Sequence, residues 1–315
     1  MSKLDRAMLS VSFRGVRGST PSPGPSTARY GGNTSCVEVR SGDEILILDA
    51  GTGIRPLGSD LLAEFGERPI KATLLISHTH WDHIQGLPFF APAYFAKNQI
   101  RVMAAKGNAV TVMRSLQNQM NPMNFPVGLE QMVGLTHVEE LPSDSEMLGV
   151  FSVRVAHLNH PGGCAGFRIE TDGGSFAYLP DHEPFDHADV PLDGKSPQVR
   201  TDALVEFVRG VDLLILDTQY TEAEFPSRRG WGHGRLSDSV AMAVKAGVGR
   251  LALFHHDPAH DDDQLDAMVK RAREVAGVSG LTVNAATENE TVTLGHGAVT
   301  AFPPVVSPLA KTGTG

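Results

Sequence analysis

The segment His78-Thr79-His80-Trp81-Asp82-His83 places three imidazoles and a carboxylate within six residues, directly behind the apolar run of residues 72–77. The chain holds 13 histidines among 315 residues, so this density is not an accident of composition. The apolar run reads as a buried strand, and His78 begins the loop at its end. Alternate side chains of an extended segment share a side, so His78 and His80 point together, toward one ion. Asp82 and His83 follow after a turn and face a second ion nearby. Imidazoles grouped with a carboxylate are what a divalent transition metal binds well.

Further ligands are expected where later apolar strands stop, because sites gather there in layered α/β folds. The candidates are His157 and His160, Asp181, His233 in the glycine-rich stretch Gly-Trp-Gly-His-Gly, and His255 with His256. Adjacent strand residues face opposite ways, so only one of His255 and His256 ligates, and the other sits behind the ligands or on the rim. Asp49 precedes a Gly-Thr-Gly turn; it either orients a metal-bound histidine or caps the turn. His182 has a substrate-facing reading and a structural or solvated one. His157 reads as a polar strand end, and His137, His187 and His296 as surface residues. Arg228 and Arg229 either supply charge for an anionic substrate or are solvated. Gly162 and Gly163 are candidates to offer backbone N–H groups to a substrate.

Short β-rich runs carry these residues. Strands are expected over residues 9–15, 35–41, 44–50, 72–77, 151–158, 164–171, 175–181, 212–218, 250–256 and 281–286. Helical periodicity is clearest over 107–120, 201–210, 237–247 and 261–277. Strands precede helices in each half, which predicts two mixed β-sheets packed together with helices outside, a four-layer αββα sandwich. No linker or internal repeat divides the chain. Residues 1–301 read as one domain and 302–315 as a Pro/Gly/Thr-rich tail. Residues 121–132 form a non-helical stretch with Met123, Phe125 and Pro126; it reads as a loop pinned to the core, with a cover for the metal cleft, or for that of an identical partner in a homodimer, as the alternative.

Composition narrows the function. The chain is 41% hydrophobic and 20% charged, which describes a folded globular protein. Its formal net charge of -9 disfavours a long nucleic acid as partner and leaves a small anion open. The two cysteines, Cys36 and Cys164, form neither a metal-binding pair nor a disulfide framework. No apolar run is long enough for a membrane span, so a cytoplasmic protein with no membrane partner is the expectation.

The segment His78–His83 matches the H-x-H-x-D-H signature of the metallo-β-lactamase superfamily, which the chain resembles over roughly residues 10–300. The later motifs resemble the branch containing tRNase Z, PhnP-type phosphodiesterases and cyclic-nucleotide phosphodiesterases. His160 is followed six residues later by Gly166-Phe167, Asp181 ends a strand, Gly232-His233-Gly234 precedes a helix, and His255 is followed three residues later by Pro258. The resemblance implies that His78, His80 and His160 hold one metal, that Asp82, His83 and His255 hold the other, and that Asp181 bridges them. It implies two divalent ions, Zn2+ first, with Mn2+ or Fe2+ also suited to these ligands. It implies hydrolysis by water activated between the ions, with Asp82 orienting that water or taking its proton and His233 acting on the substrate phosphate. A small phosphodiester such as a cyclic nucleotide is the expected substrate. The alternatives are tRNA 3′-processing, a lactone or thioester hydrolase, an iron-dependent oxidoreductase, and a non-catalytic metal-holding sensor.

Overall fold

The computed structural model describes residues 8–185 and 195–295. Its first sheet has seven strands in the order β14-β1-β2-β3-β4-β5-β6. These are β1 (Leu9–Gly15), β2 (Cys36–Ser41), β3 (Glu44–Leu48), β4 (Lys71–Ile76), β5 (Gln99–Ala104), β6 (Leu135–Glu140) and β14 (Thr291–Leu294). The second sheet has the order β13-β12-β11-β10-β9-β8-β7. It comprises β7 (Ser145–Leu148), β8 (Phe151–Leu158), β9 (Cys164–Thr171), β10 (Gly174–Leu179), β11 (Leu213–Asp217), β12 (Arg250–Phe254) and β13 (Thr282–Ala285). Pairing is antiparallel from β14 to β3 and parallel from β3 to β6. The second sheet repeats this plan, antiparallel from β7 to β10 and parallel from β10 to β13. The halves thus share an architecture that their residues do not display as a sequence repeat.

Two-residue alternation sorts the apolar side chains into layers. In β3, Leu46 and Leu48 face the second sheet, while Ile45 and Ile47 face outward. In β11, Leu213 and Ile215 face the first sheet, while Leu214 and Leu216 face outward. The inner faces meet in a core that includes Phe13, Phe167, Phe176, Tyr178 and Phe254. The outer face of the first sheet is covered by α1 (Ile54–Phe65) and α3 (Ala109–Gln119), through Leu57, Leu61, Val112 and Leu116. That of the second is covered by α4 (Pro197–Phe207), α6 (Leu236–Ala246) and α7 (Asp262–Ala276), through Leu204, Val240, Leu265 and Met268. Strands buried on both faces read as continuous apolar runs, as β11 and β12 do. The four-layer αββα sandwich expected from the sequence is the observed fold.

The ten expected strands all form, most ending one or two residues short of the reading. The expected helix at 201–210 begins earlier, at Pro197, because Ser196 caps it by accepting the Val199 N–H and proline suits the first turn. Strands β5, β6, β7 and β14, helix α1, and the short helices α2 (Trp81–Ile84) and α5 (Phe225–Arg228) were not anticipated. Residues 121–132 pack by Phe125, Leu129 and Met132 against the helix layer of the first sheet, with Phe125 edge-on to Phe89 at 5.4 Å. They form the pinned loop of the first reading. His187, His296 and the tail at 302–315 lie outside the described residues.

Candidate metal centre

Strand ends from both sheets open onto one cleft. Asp49 follows β3 and His78 follows β4; Asp181 follows β10, Asp217 ends β11 and His255 follows β12. His80 caps the start of α2, and Asp82 and His83 lie within it. His160 sits in the turn between β8 and β9, and His233 in the glycine-rich loop before α6. Asp49 and His255 both take a φ of 61°, a left-handed conformation costly for residues with a side chain. Gly18 allows this arrangement: a Cβ there would lie 2.3 Å from the His255 ring.

The histidine ring nitrogens have assigned tasks. His83 Nδ1 donates to Asp49 Oδ2 at 2.8 Å, and His255 Nδ1 donates to Gln219 Oε1 at 2.9 Å. His160 Nδ1 donates to the Gly232 carbonyl at 2.9 Å. Ser77 Oγ donates to Asp49 Oδ2 at 2.8 Å and so accepts from His78 Nδ1 at 3.1 Å. Each outer hydrogen bond fixes the tautomer that leaves Nε2 with a lone pair directed inward. His80 completes the set with its Nδ1, 2.9 Å from His160 Nε2.

Asp181 lies between two groups of these nitrogens. Its Oδ2 is 3.6 Å from both His78 Nε2 and His160 Nε2. Its Oδ1 is 3.1 Å from His83 Nε2 and 3.4 Å from His255 Nε2. Asp82 Oδ2 joins the second group, 3.3 Å from His83 Nε2 and 3.0 Å from His255 Nε2. Potential ligand atoms of His78, His80, His160 and Asp181 all lie within 4.8 Å of one another, as do those of Asp82, His83 and His255. His78 Nε2 and Asp181 Oδ1 are buried without a well-directed hydrogen bond. A buried polar atom in this state is costly, and a cation at that position removes the cost.

The electrostatics point the same way. Burial, with the neighbouring His83, holds the His78 imidazole well below its ordinary value. Burial also lowers His80 and His160. Burial would lower His255 too, but Asp181 and Asp82 drive it up to about 9. Burial would raise the Asp181 carboxyl, yet His255, His83 and His78 carry it well below the carboxylate range. Protons therefore serve part of the cluster and disfavour the rest. A divalent cation would satisfy such lone pairs without the conflict, and the His/Asp donor set fits one.

All seven sequence-derived ligand candidates come together: His78, His80, Asp82, His83, His160, Asp181 and His255. His233 stands beside them, its ring stacked on His255 at 4.8 Å and its Nδ1 donating to Asp217 Oδ2 at 3.0 Å. Asp49 resolves toward orientation: its carboxylate accepts from His83, Tyr178 Oη, Ser77 Oγ and the Ser77 N–H. The remaining candidates lie outside the ligand groups. His256 is neither on the rim nor against a ligand; it is buried, with Nε2 on the Ala286 carbonyl at 2.9 Å and its ring on Tyr30. His182 is buried rather than solvated, and its Nδ1 accepts the Asn159 N–H, next to His160. The Gly163 N–H is spent on the His160 carbonyl, so it is not offered to a substrate. His157 and His137 are exposed strand residues outside the centre. Arg228 and Arg229 are exposed and lie over Trp231 and Phe225.

Several supporting residues escaped the sequence reading. Asp217 and Gln219 orient His233 and His255; Ser77 orients His78; the Ser19 N–H fixes Asp82 Oδ2 at 2.7 Å. Asp217 carried a signal, since it ends an apolar strand just as Asp181 does.

Two mixed seven-stranded sheets with a His/Asp cluster at their strand ends define the fold of a superfamily of metal-dependent hydrolases. The beta-lactamase superfamily domain matches residues 45–256, and the chain belongs to that superfamily. It is similar to Ribonuclease Z of Bradyrhizobium sp. (strain ORS 278), 24% identical over 295 residues that cover 82% of this chain and 93% of that one. The metallo-beta-lactamase fold protein YhfI from Bacillus subtilis superposes with a TM-score of 0.64 at 20% identity, covering 91% of this chain and 99% of that one. A diphosphatase from the PhnP family superposes at 0.61 with 16% identity, covering 90% and 97%. Among the described residues no helix is long and apolar enough to cross a membrane.

Proposed function

We propose that the protein is a dinuclear metal-dependent phosphodiesterase acting on a small phosphodiester. His78, His80 and His160 would hold one cation and Asp82, His83 and His255 the other, with Asp181 placed to contribute to both. The observation that carries this reading is the placement of Asp181, whose two oxygens face two separate histidine groups. Zinc suits imidazole and carboxylate ligands best, and Mn2+ and Fe2+ are compatible. Two such cations, when bound, supply Lewis-acid stabilisation of phosphoryl oxygens and acidify water.

The chain's own groups complete the chemistry. Asp82 is pinned through Oδ2 by the Ser19 N–H. Its Oδ1 orients the attacking water or takes its proton. His233 is held by Asp217 through Nδ1; with a second proton on Nε2, that N–H stabilises the developing charge or passes its proton to the leaving alkoxide. Burial of these groups excludes water and strengthens each electrostatic contribution.

A second reading, RNA 3′-processing, is favoured by the similarity to a Ribonuclease Z across most of both chains. The net charge of -9 disfavours it. Metal-loaded protein assayed side by side on bis-p-nitrophenyl phosphate, cyclic nucleotides and a pre-tRNA separates the two. Cation-dependent cleavage of the small diesters supports the proposal. Cleavage of pre-tRNA alone moves the assignment to the second reading, and inactivity on all three defeats both.

A further inference from the structure

The chain has two tryptophans, Trp81 and Trp231, and both stand exposed beside the metal centre, at 73% and 57% of full exposure. Tryptophan is among the most buried side chains on average, so two exposed rings at one rim call for a physical account. Trp81 lies between His80 and Asp82, inside the ligand segment. Trp231 precedes Gly232, whose carbonyl accepts from His160 Nδ1. His160 Nε2 in turn is 2.9 Å from His80 Nδ1. The two tryptophans thus flank the His80–His160 pair, and His80 is the exposed member of its ligand group, which marks the open side of the cleft.

Neither ring sits on a loose segment. Trp81 opens α2, with both neighbours directed into the cluster. Trp231 is clamped by its flanking glycines: the Gly230 and Gly232 N–H groups both donate to the buried Glu183 carboxylate, at 2.8 Å to its nearer oxygen in each case. Gly232 fits only as glycine, since at its φ of +89° a Cβ would lie 2.3 Å from His160 Nδ1. Arg228 lies 4.8 Å from the Trp231 ring centroid, which sets a cation beside one face of that ring.

We infer that Trp81 and Trp231 form a stacking platform for a nucleobase, which makes the substrate a nucleotide diester rather than a simple alkyl one. This rests on the phosphodiesterase reading. Every base presents a flat π-face, so aromatic stacking accepts any of the four and needs no hydrogen-bond readout. Rings carried on fixed backbone lose less freedom on binding than rings on a loose segment. Arg228 offers its charge to the nucleotide's anionic part.

The test compares zinc-loaded wild type with W81A, W231A and the double variant on two diesters sharing one leaving group. Thymidine 5′-p-nitrophenyl phosphate carries a base and methyl p-nitrophenyl phosphate does not. Each alanine variant is expected to raise KM for the thymidine ester by about 5- to 150-fold with kcat retained, to leave the methyl ester unchanged, and to keep full metal content. W81F and W231F, which keep a flat ring, are expected to restore most of the loss. With just two tryptophans present, intrinsic fluorescence reads the platform directly. AMP is expected to quench it and inorganic phosphate is not. Equal changes on both diesters, no change on either, or no quenching by AMP would overturn the inference. If wild type cleaves neither diester, the phosphodiesterase reading fails; quenching by AMP would still support the platform and its absence would refute it.

Discussion

Replacing Asp49 by Asn tests whether the outer hydrogen bonds set up the metal ligands. Asp49 is fully buried and belongs to none of the candidate ligand groups. Its Oδ2 accepts from His83 Nδ1, Ser77 Oγ and Tyr178 Oη at 2.8 Å each, and Oδ1 accepts the Ser77 N–H at 2.7 Å. An asparagine has one acceptor oxygen and an NH2 group in the same volume. With its oxygen toward His83, the NH2 opposes the Ser77 N–H, leaving buried donors unpaired at a cost of about 1–3 kcal/mol. With the amide reversed, Ser77 and Tyr178 can rotate their hydroxyls, but His83 must move its proton to Nε2. That blocks the nitrogen meant for the cation. Loss of such a partner weakens metal binding by about 10- to 100-fold, or ~1.4–2.7 kcal/mol. Competition with a chromophoric chelator reads the affinity, and thermal unfolding of the metal-free protein reads the stability cost. The loss is expected at one of the two ions, the one held by Asp82, His83 and His255. Y178F is the control: it removes one donor and keeps the His83 bond, so it should cost about 1 kcal/mol of stability and little metal affinity. If D49N retains both affinities, Asp49 does not set the His83 tautomer and the reasoning fails.

Three further outcomes follow from the geometry. H233A is expected to lower turnover by about 100-fold or more while both ions are retained, measured by kinetics beside metal analysis; loss of an ion would make His233 a ligand, as its position near Asp181 and His255 allows. G232A must accommodate a Cβ 2.3 Å from His160 Nδ1 at a φ of +89°, so it should displace His160, release the ion shared with His78 and His80, and lower the melting temperature. Burial holds His256 to about 3 and His182 to about 4, against an ordinary 6.5. A depressed imidazole contributes stability that is full above pH 6.5 and is lost as pH falls toward those folded values, because the unfolded chain takes up the proton first. The melting temperature should therefore fall steeply between pH 6.5 and about 4, and H256N should flatten that fall; an unchanged slope would show that His256 is not held neutral by burial.

Much of the fold was legible because burial on both faces writes itself as apolar runs. Strands such as β4, β11 and β12 show this pattern, and their polar C-terminal neighbours mark the site. The ligand candidates share that signature, and the resemblance to the H-x-H-x-D-H family selected seven of them from among the strand-end histidines and aspartates. Helix α1 was hidden by Pro56 and Gly58, which read as turn residues. Pro56 sits in the first turn, where no N–H partner is lost, and Gly58 is where Phe90 and Pro92 pack against the helix. Strands β6 and β7 lie at sheet edges and are largely polar, and β14 is only four residues, so none carries a strong alternation. Asp217, Gln219 and Glu183 act through hydrogen bonds to groups distant in sequence, and no local period announces such partners. His256 shows the limit of local pattern: alternation and the Pro258 spacing keep it out of the ligand set, but nothing local announces its partners, the Ala286 carbonyl and Tyr30.

The central claim is that one carboxylate joins two cation sites. Anomalous diffraction from crystals of the zinc-loaded protein tests it most directly. The account predicts two peaks about 3.5–4 Å apart, one against His78, His80 and His160, the other against Asp82, His83 and His255, with an Asp181 oxygen on each. A single peak, or two peaks without Asp181 between them, would contradict it.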